Sequence, residues 1–359
     1  MSNTKALIRN EQTYVLDRKL LTIHSEDRDI SKWKSSSYFE IMMPEPLLNV
    51  QSLRLVEISL PCDLYTFSGK YQNTKMSVTV GGVTATITIE DGLYTPNQLA
   101  NELTNLLNAS SLTTAPDMFN VLYNEVSHKF WFGTTSNIPF TLNFDQQISY
   151  SDVSGICYEN LGVWDYYTKW GLPSYLGFNK ETYNSSSAPA PNVNYNSAIG
   201  TPSNIWKDTA GVDITDYVIA PLPAKLQGDA AIYMELEKYN SMDELYPYSR
   251  HTTATFNNDF NGRVNSAFAK IPLQTAQTND GNSINTYRQE SKYEFLMNAT
   301  HYDPPLERLS KLKFKFRYHD GRLVDFQDIP VDFTIEFNML RNEIARKYSV
   351  REPRTIYTT

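Results

Sequence analysis

The sequence predicts a mainly β protein: an antiparallel sandwich or barrel with one short helix and a loop-rich insertion. Three observations carry this. The stretch from Lys311 to Phe337 alternates oily and polar residues with a period of two. A second hairpin is legible at Met76–Ile89. The composition, with 24 Tyr, 17 Phe and only 20% charged residues, suits strands and contact surfaces better than long helices.

In the Lys311–Phe337 stretch, Leu312, Phe314, Phe316 and Tyr318 share one face, and Lys311, Lys313, Lys315 and Arg317 the other. The turn follows at His319-Asp320-Gly321. A two-residue loop would set Phe316 opposite Asp325 and mix the faces. A three-residue loop, with Gly321 left-handed in a bulge, sets Phe316 opposite Val324 and Phe314 opposite Phe326. A slip of one residue swaps the buried face, so the three-residue loop is expected. Val331, Phe333, Ile335 and Phe337 then mark another strand. Strands with a common apolar face must pack on a layer of similar size.

In chain order, residues 1–20 are polar with scattered apolar positions and read as an N-terminal arm. Leu21–His24 is a short strand, followed by Ser25-Glu26-Asp27-Arg28-Asp29, whose acids read as solvated or paired with Arg28 in preference to a cation site. Phe39, Ile41 and Met43 alternate, and Pro44 and Pro46 are expected to stop that strand. Leu53 and Leu55 lie in one phase and Val56, Ile58 and Leu60 in the other. That slip predicts a bulge or a strand buried on both faces, closed by Pro61.

In the second hairpin Gly81-Gly82 is the turn. Val80 falls opposite Val83, Val78 opposite Ala85 and Met76 opposite Ile87, with Thr84, Thr86 and Thr88 on the other face. Thr95-Pro96-Asn97-Gln98 is a capping box with proline at the first helical position. Leu99, Leu103, Leu106 and Leu107 continue it to about Asn108. Short strands are expected at Phe119–Tyr123, Lys129–Phe132 and Phe140–Phe144.

Tyr158 to Phe178 is dense in aromatics. Trp164, Tyr166, Tyr167 and Trp170 are candidate interface anchors; a sugar platform and a small subdomain core are the competing readings. Residues 181–212 are rich in Ser, Asn and Pro and read as a long exposed loop. Ala230–Leu236 and Phe268–Leu273 are strands separated by polar loops. Leu340, Ile344 and Tyr348 allow a short final helix in a basic tail. The domain reading is an arm at 1–20, a β-sandwich from 21–110 together with 225–340, an aromatic-rich β insertion at 111–224, and a C-terminal tail at 341–359.

Several function classes are disfavoured. Net charge is −8 without acidic or basic blocks, so no nucleic-acid footprint is present. Two cysteines, Cys62 and Cys157, make neither a disulfide framework nor a metal cluster, though one bridge between them stays open. No signal-like segment and no apolar run long enough to span a bilayer appears. The sequons at Asn108, Asn184 and Asn298 are therefore read as accidental. None of the five histidines stands at metal-ligand spacing, and no phosphate loop or nucleophile elbow is present. The sequence points to no enzyme, cofactor or metal. The Lys311, Lys313, Lys315, Arg317 row is a candidate basic contact face for acidic partners; a solvated strand face is the competing reading.

A set of segments, in order, resembles virion structural proteins of nucleocytoplasmic large DNA viruses. They are LTIHSEDRD, FEIMMPEPLLNVQSLRLVEISLP, ITIEDGLYTPNQLANELTNLLN, SYLGF, FAKIPL and LKFKFRYHDGRLVDFQDIPVDFTIEF. Together they cover roughly the first third and last fifth of the chain. The early portion also looks like penton-type minor capsid proteins built on one jelly roll. The resemblance implies a jelly-roll sandwich and a capsid role, as penton or minor capsid protein. It further implies the major capsid protein and other capsid proteins as partners, a homo-oligomer (a pentamer if at the vertex), and a place in the virion, assembled in host cytoplasm. A spike or fibre module binding host glycans through the aromatic cluster is the alternative, and a virion glycan hydrolase a third.

Overall fold

The computed structural model describes residues 14–61, 64–112, 118–135, 137–145, 171–187, 206–208, 210–243, 266–273, 286–290, 299–319 and 323–342. In chain order the strands are β1 Tyr14–His24, β2 Tyr38–Pro61, β3 Lys75–Val80, β4 Val83–Thr88, β5 Phe119–Asn124, β6 Lys129–Thr134, β7 Phe140–Asn143, β8 Thr182–Asn184 and β9 Asp216–Ile219. They continue as β10 Ala231–Leu236, β11 Met242–Asp243, β12 Ser266–Ala267, β13 Ala269–Pro272, β14 Thr286–Glu290, β15 Thr300–Arg317 and β16 Asp332–Asn342. Helix α1 is Pro96–Ala109 and α2 is the single turn Leu172–Tyr175. The chain is mainly β, and the paired strands are antiparallel, as the patterning predicts.

The chain divides into two compact units, one from the strands before residue 62 and after 230, the other from residues 63–230. The hairpin β3–β4 and helix α1 therefore group with the middle of the chain, where the sequence reading had placed them with the terminal strands. Residues 14–20 of the expected arm are part of β1, and residues 341–342 of the expected tail end β16.

In the terminal-strand unit the sheet order is β1–β16–β2–β15–β10–β13, with β14 also on β2. Phe314 is directly opposite Phe39 on β2, and Phe333 is directly opposite Ile58. A straight strand would hold residues 39 and 58 roughly 60 Å apart. Yet the Phe314 and Phe333 rings are 4.9 Å apart, edge to face. The sheet must therefore fold over along β2. The first half of β2 belongs to a layer with β15, β10 and β13, and its second half to a layer with β16, β1 and β14.

The bend is written in prolines. Between the pairs Lys311–Met42 and Leu309–Leu47, residues Met43 to Pro46 lie opposite Ser310 alone. Between His301–Ser52 and Leu306–Val50, Tyr302 to Pro305 lie opposite Gln51 alone. Proline donates nothing to a ladder, so it collects where a strand bulges. Pro44 and Pro46 thus bulge β2 without stopping it, which corrects the expected strand end. The phase slip after Leu55 is a bulge too: Ile335 pairs with Leu55 and Thr334 with Glu57, leaving Val56 over. Phe39, Ile58, Phe314, Phe316, Phe333, Ile335 and Phe337 are all fully buried between the layers.

The turn after β15 keeps the expected register. Arg317 bridges Leu323, the Val324 N–H donates to the Phe316 carbonyl at 3.0 Å, and Phe326 stacks edge-on against Phe316 at 5.5 Å. Gly321 lies outside the described residues. The following strand, β16, pairs with β1 and β2 and not with β15.

The middle unit has two sheets, β4–β3–β7–β8 and β5–β6–β9. Hairpin β3–β4 has the predicted register at every pair, with Gly81 and Gly82 both at positive φ, as a two-residue primed turn requires. Helix α1 has the full predicted capping box and buries Leu99, Ala100, Leu103 and Leu107 in a core shared with both sheets. Its other contribution is polar. The Asn108 side chain donates to the Phe119 carbonyl and accepts from the Phe119 N–H, both at 2.8 Å, while Thr104 Oγ1 accepts from the Val121 N–H at 2.9 Å. The helix thereby closes the free edge of β5. The SYLGF segment seats Gly177, at φ +91°, so that a Cβ would fall 2.1 Å from the Leu222 carbonyl oxygen.

Candidate interaction surface

After the bulge at Ser310, strand alternation turns Lys311, Lys313, Lys315 and Arg317 of β15 to the side away from the core, and the register places neighbours beside them. Lys315 lies opposite Tyr38 on one side and Glu235 on the other; Lys313 lies opposite Glu40. Tyr233 lies opposite both Arg317 and Lys270. Tyr38, Glu40, the four basic residues, Glu235 and Tyr233 therefore share the outer side of the sheet, where Arg317 and Tyr233 are themselves buried.

Trp33 joins this face through the LTIHSEDRD segment. Ser25 is buried and exchanges two hydrogen bonds with Val331 at the entrance to β16: Ser25 N–H to the Val331 carbonyl, and Val331 N–H to Ser25 Oγ, both 2.8 Å. The Arg28 guanidinium then donates to the carbonyls of Ser25, Trp33 and Lys34, at 2.6, 3.1 and 3.2 Å. Arg28 ties the turn backbone together, so the acids beside it stay at the surface; Asp29 is used to cap Ser31. The loop so fixed lays Trp33 edge-on against Tyr38, ring centroids 4.8 Å apart.

The four predicted basic residues are brought together, in different company. Lys311 pairs with Glu40 at 3.2 Å, Lys313 with Glu237 at 2.8 Å, and Arg317 with Glu235 at 3.0 Å. Lys313 also lies over the Trp33 and Tyr38 rings, and Lys315 over Tyr38 at 4.9 Å. Arg317 is buried, so its charge faces Glu235 and not solvent. Burial works against the charge on Lys313, but hydrogen bonds with Glu237 and Tyr38 hold its pKa above the usual lysine value. Lys315 goes the other way: burial, then the neighbouring Arg317, push it below the usual value. Glu235 is raised by burial despite Arg317, and Glu237 is lowered by its Lys313 hydrogen bond. The result is a cross-strand ladder of paired charges interleaved with aromatic rings. With the buried Arg317–Glu235 pair set aside, Lys311, Lys313, Lys315 and Lys270 outnumber Glu40 and Glu237 by four to two, in a chain of net charge −8. Such a face attracts carboxylates and offers flat aromatic area to a partner.

The expected aromatic anchors Trp164, Tyr166, Tyr167 and Trp170 lie outside the described residues. Sequence reasoning missed Trp33, Tyr38 and Tyr233 as members of the basic face. The alternation at residues 38–43 puts Tyr38 and Glu40 outward, but nothing local says that β15 lies next to them. Among the described residues, no group of His, Cys, Asp or Glu is arranged to hold a metal, and no helix is long and apolar enough to cross a membrane.

No protein-family model matches this chain, and no curated protein matches it. Solved structures similar to it include the mavirus penton protein, at 10% identity and a TM-score of 0.41, covering 90% of this chain and 99% of that one. Another is a chain of the Sputnik virophage, at 10% identity and a TM-score of 0.37, covering 92% and 99%. Likeness that loose assigns neither fold nor role to this chain.

Proposed function

We propose that this protein is a structural component of a viral shell, a penton or minor capsid protein of a large icosahedral DNA virus that joins neighbouring capsid proteins without catalysis. The observation that carries the reading is the outward face of β15. Its side chains are ordered by cross-strand pairs into a ring-bearing, net basic surface suited to holding a partner. The segments that resemble virion proteins support it, because they build this face and its frame: LTIHSEDRD positions Trp33, and the long closing segment is β15 and β16 themselves. The partners are the major capsid protein and other shell proteins, met through acidic patches on the β15 face and through aromatic anchors at Trp164, Tyr166, Tyr167 and Trp170.

The test is occupancy. Particles carrying Lys313→Glu/Lys315→Glu, or Trp164→Ala/Trp170→Ala, should contain this chain at well below parental stoichiometry in purified shells. A chain that is absent from purified shells, or whose occupancy both variants leave unchanged, defeats the proposal. Binding of the isolated protein to host polysaccharide in place of shells would favour a glycan-reading spike.

A further inference from the structure

In the terminal-strand unit the second layer ends in β1, and among the described residues nothing pairs with its outer edge. The edge is long. β1 runs eleven residues in unbroken register against β16, with no proline, glycine or bulge. The opposite edge, β13, is four residues long, carries Lys270 and ends at Pro272, the short, charged, proline-stopped form by which natural sheets discourage pairing. β1 instead presents Leu16 and Leu20 at 56% and 52% exposure, with Asp17, Arg18 and Lys19 between them.

We infer that β1 pairs antiparallel with β1 of a second copy of this chain, about a two-fold axis at Arg18. The register follows from parity and charge. For the joined sheet to keep one core face and one outer face, residues of like phase must oppose each other. Centring on Asp17 would set Asp17 against its own copy, and centring on Lys19 would do the same to Lys19. Centring on Arg18 sets Leu16 opposite Leu20 and Asp17 opposite Lys19, twice over. Asp17 and Lys19, which would each face their own copy in the neighbouring registers, face each other in this one, and the partner's lysine joins the pair that Asp17 already makes with Arg341 at 2.8 Å. Arg18 alone meets its own copy, on the axis, and each is held back by the buried Glu336 carboxylate at 2.5 Å, which Arg54 shares at 2.8 Å. The interface is self-complementary, as a two-fold contact must be, and backbone hydrogen bonds supply its affinity. Such a contact joins two neighbours and does not by itself close a five-membered ring. It uses a different surface from the β15 face, so either can fail without the other.

Size-exclusion chromatography with light scattering on the full chain should give twice the chain mass, or an even multiple of it. Lys19→Glu brings two carboxylates together at each end of the pairing and should weaken association by at least about tenfold. The exchanged variant Asp17→Lys/Lys19→Asp restores opposite charges and should recover the parental mass. Under mild oxidation, a mixture of Leu16→Cys and Leu20→Cys chains should give a cross-linked band that neither variant gives alone. A monomer or odd-numbered mass for the parent, undiminished association in Lys19→Glu, or equal cross-linking in each cysteine variant alone would overturn the pairing.

Discussion

Two strands that end their sheets are treated in opposite ways. The free edge of β5 is closed from within: Asn108 stands in as a strand partner for Phe119, and Thr104 takes the Val121 N–H. The free edge of β1 has no such cover among the described residues and carries two exposed leucines. The closing groups of β5 come from 11 and 17 residues away, on a helix the chain has just made. β1 is held by a strand more than 300 residues distant. The middle unit finishes its β5 edge with local sequence. The terminal-strand unit is assembled from the two ends of the chain and leaves an edge on offer.

Four substitutions test that contrast. The largest effect is expected at Phe314, whose ring contacts Phe39 at 5.5 Å and Phe333 at 4.9 Å where the folded sheet closes on itself. Phe314→Ala should cost about 3–5 kcal/mol. Hydrogen exchange should show protection falling in β2, β15 and β16, while the β3–β4 hairpin keeps its own. Equal losses in both units would break the contrast. Next is Gly177→Ala in the middle unit. A Cβ has nowhere to go against the Leu222 carbonyl, and φ is +91°. A loss of about 3 kcal/mol is expected by urea denaturation, with the converse pattern of protection. Asn108→Ala removes both bonds to Phe119 and should cost about 2 kcal/mol. The Phe119 amide should then exchange far faster while Leu122, bonded within the sheet, does not. The same change leaves the sequon at Asn108 without its asparagine, so Asn108→Asp, which keeps the acceptor, should retain part of the stability.

How much of this was legible follows the same division. The Gly81-Gly82 register, the capping box at Thr95 and the turn register at Phe316–Val324 were all readable, because each is decided by residues within a few positions. The outward side of Lys311, Lys313, Lys315 and Arg317 was readable from alternation alone. Their partners were not: Glu40 and Glu235 sit 271 and 82 residues from the bases they meet, and no pattern in one sequence says which acid lies beside which base. The bulge at Val56 announced itself as a phase slip. The prolines at 44 and 46 misled, because proline ends an isolated strand but only bulges one held by neighbours on either side of the interruption. The division into units also escaped the sequence: the hairpin and helix at 75–109 read as continuous with β2, and only their shared core with β5, β6 and β7 assigns them to the middle of the chain.

The smallest and most specific effect concerns what holds β1 in place. Glu336 joins three strands, accepting from Arg54 on β2 and Arg18 on β1 and from the Asn338 amide beside it. Burial alone would raise its pKa; the Asn338 amide and the two guanidinium groups outweigh burial and hold the carboxyl below the usual glutamate value. A carboxyl whose folded pKa is depressed stabilises the fold above its ordinary value, about 4.3. That contribution disappears as pH falls through the lower, folded value. Glu336→Gln should therefore cost about 1 kcal/mol near pH 7, read by urea denaturation, and the gap between parent and variant should close on acidification below about pH 4. The β1 amides should show the change first, since Arg18 loses its partner while Phe333, Ile335 and Phe337 keep β16 in the core. A gap that persists unchanged at pH 3 would mean that β1 is held by its backbone ladder alone. The charge on Glu336 would then be incidental to the edge it touches through Arg18.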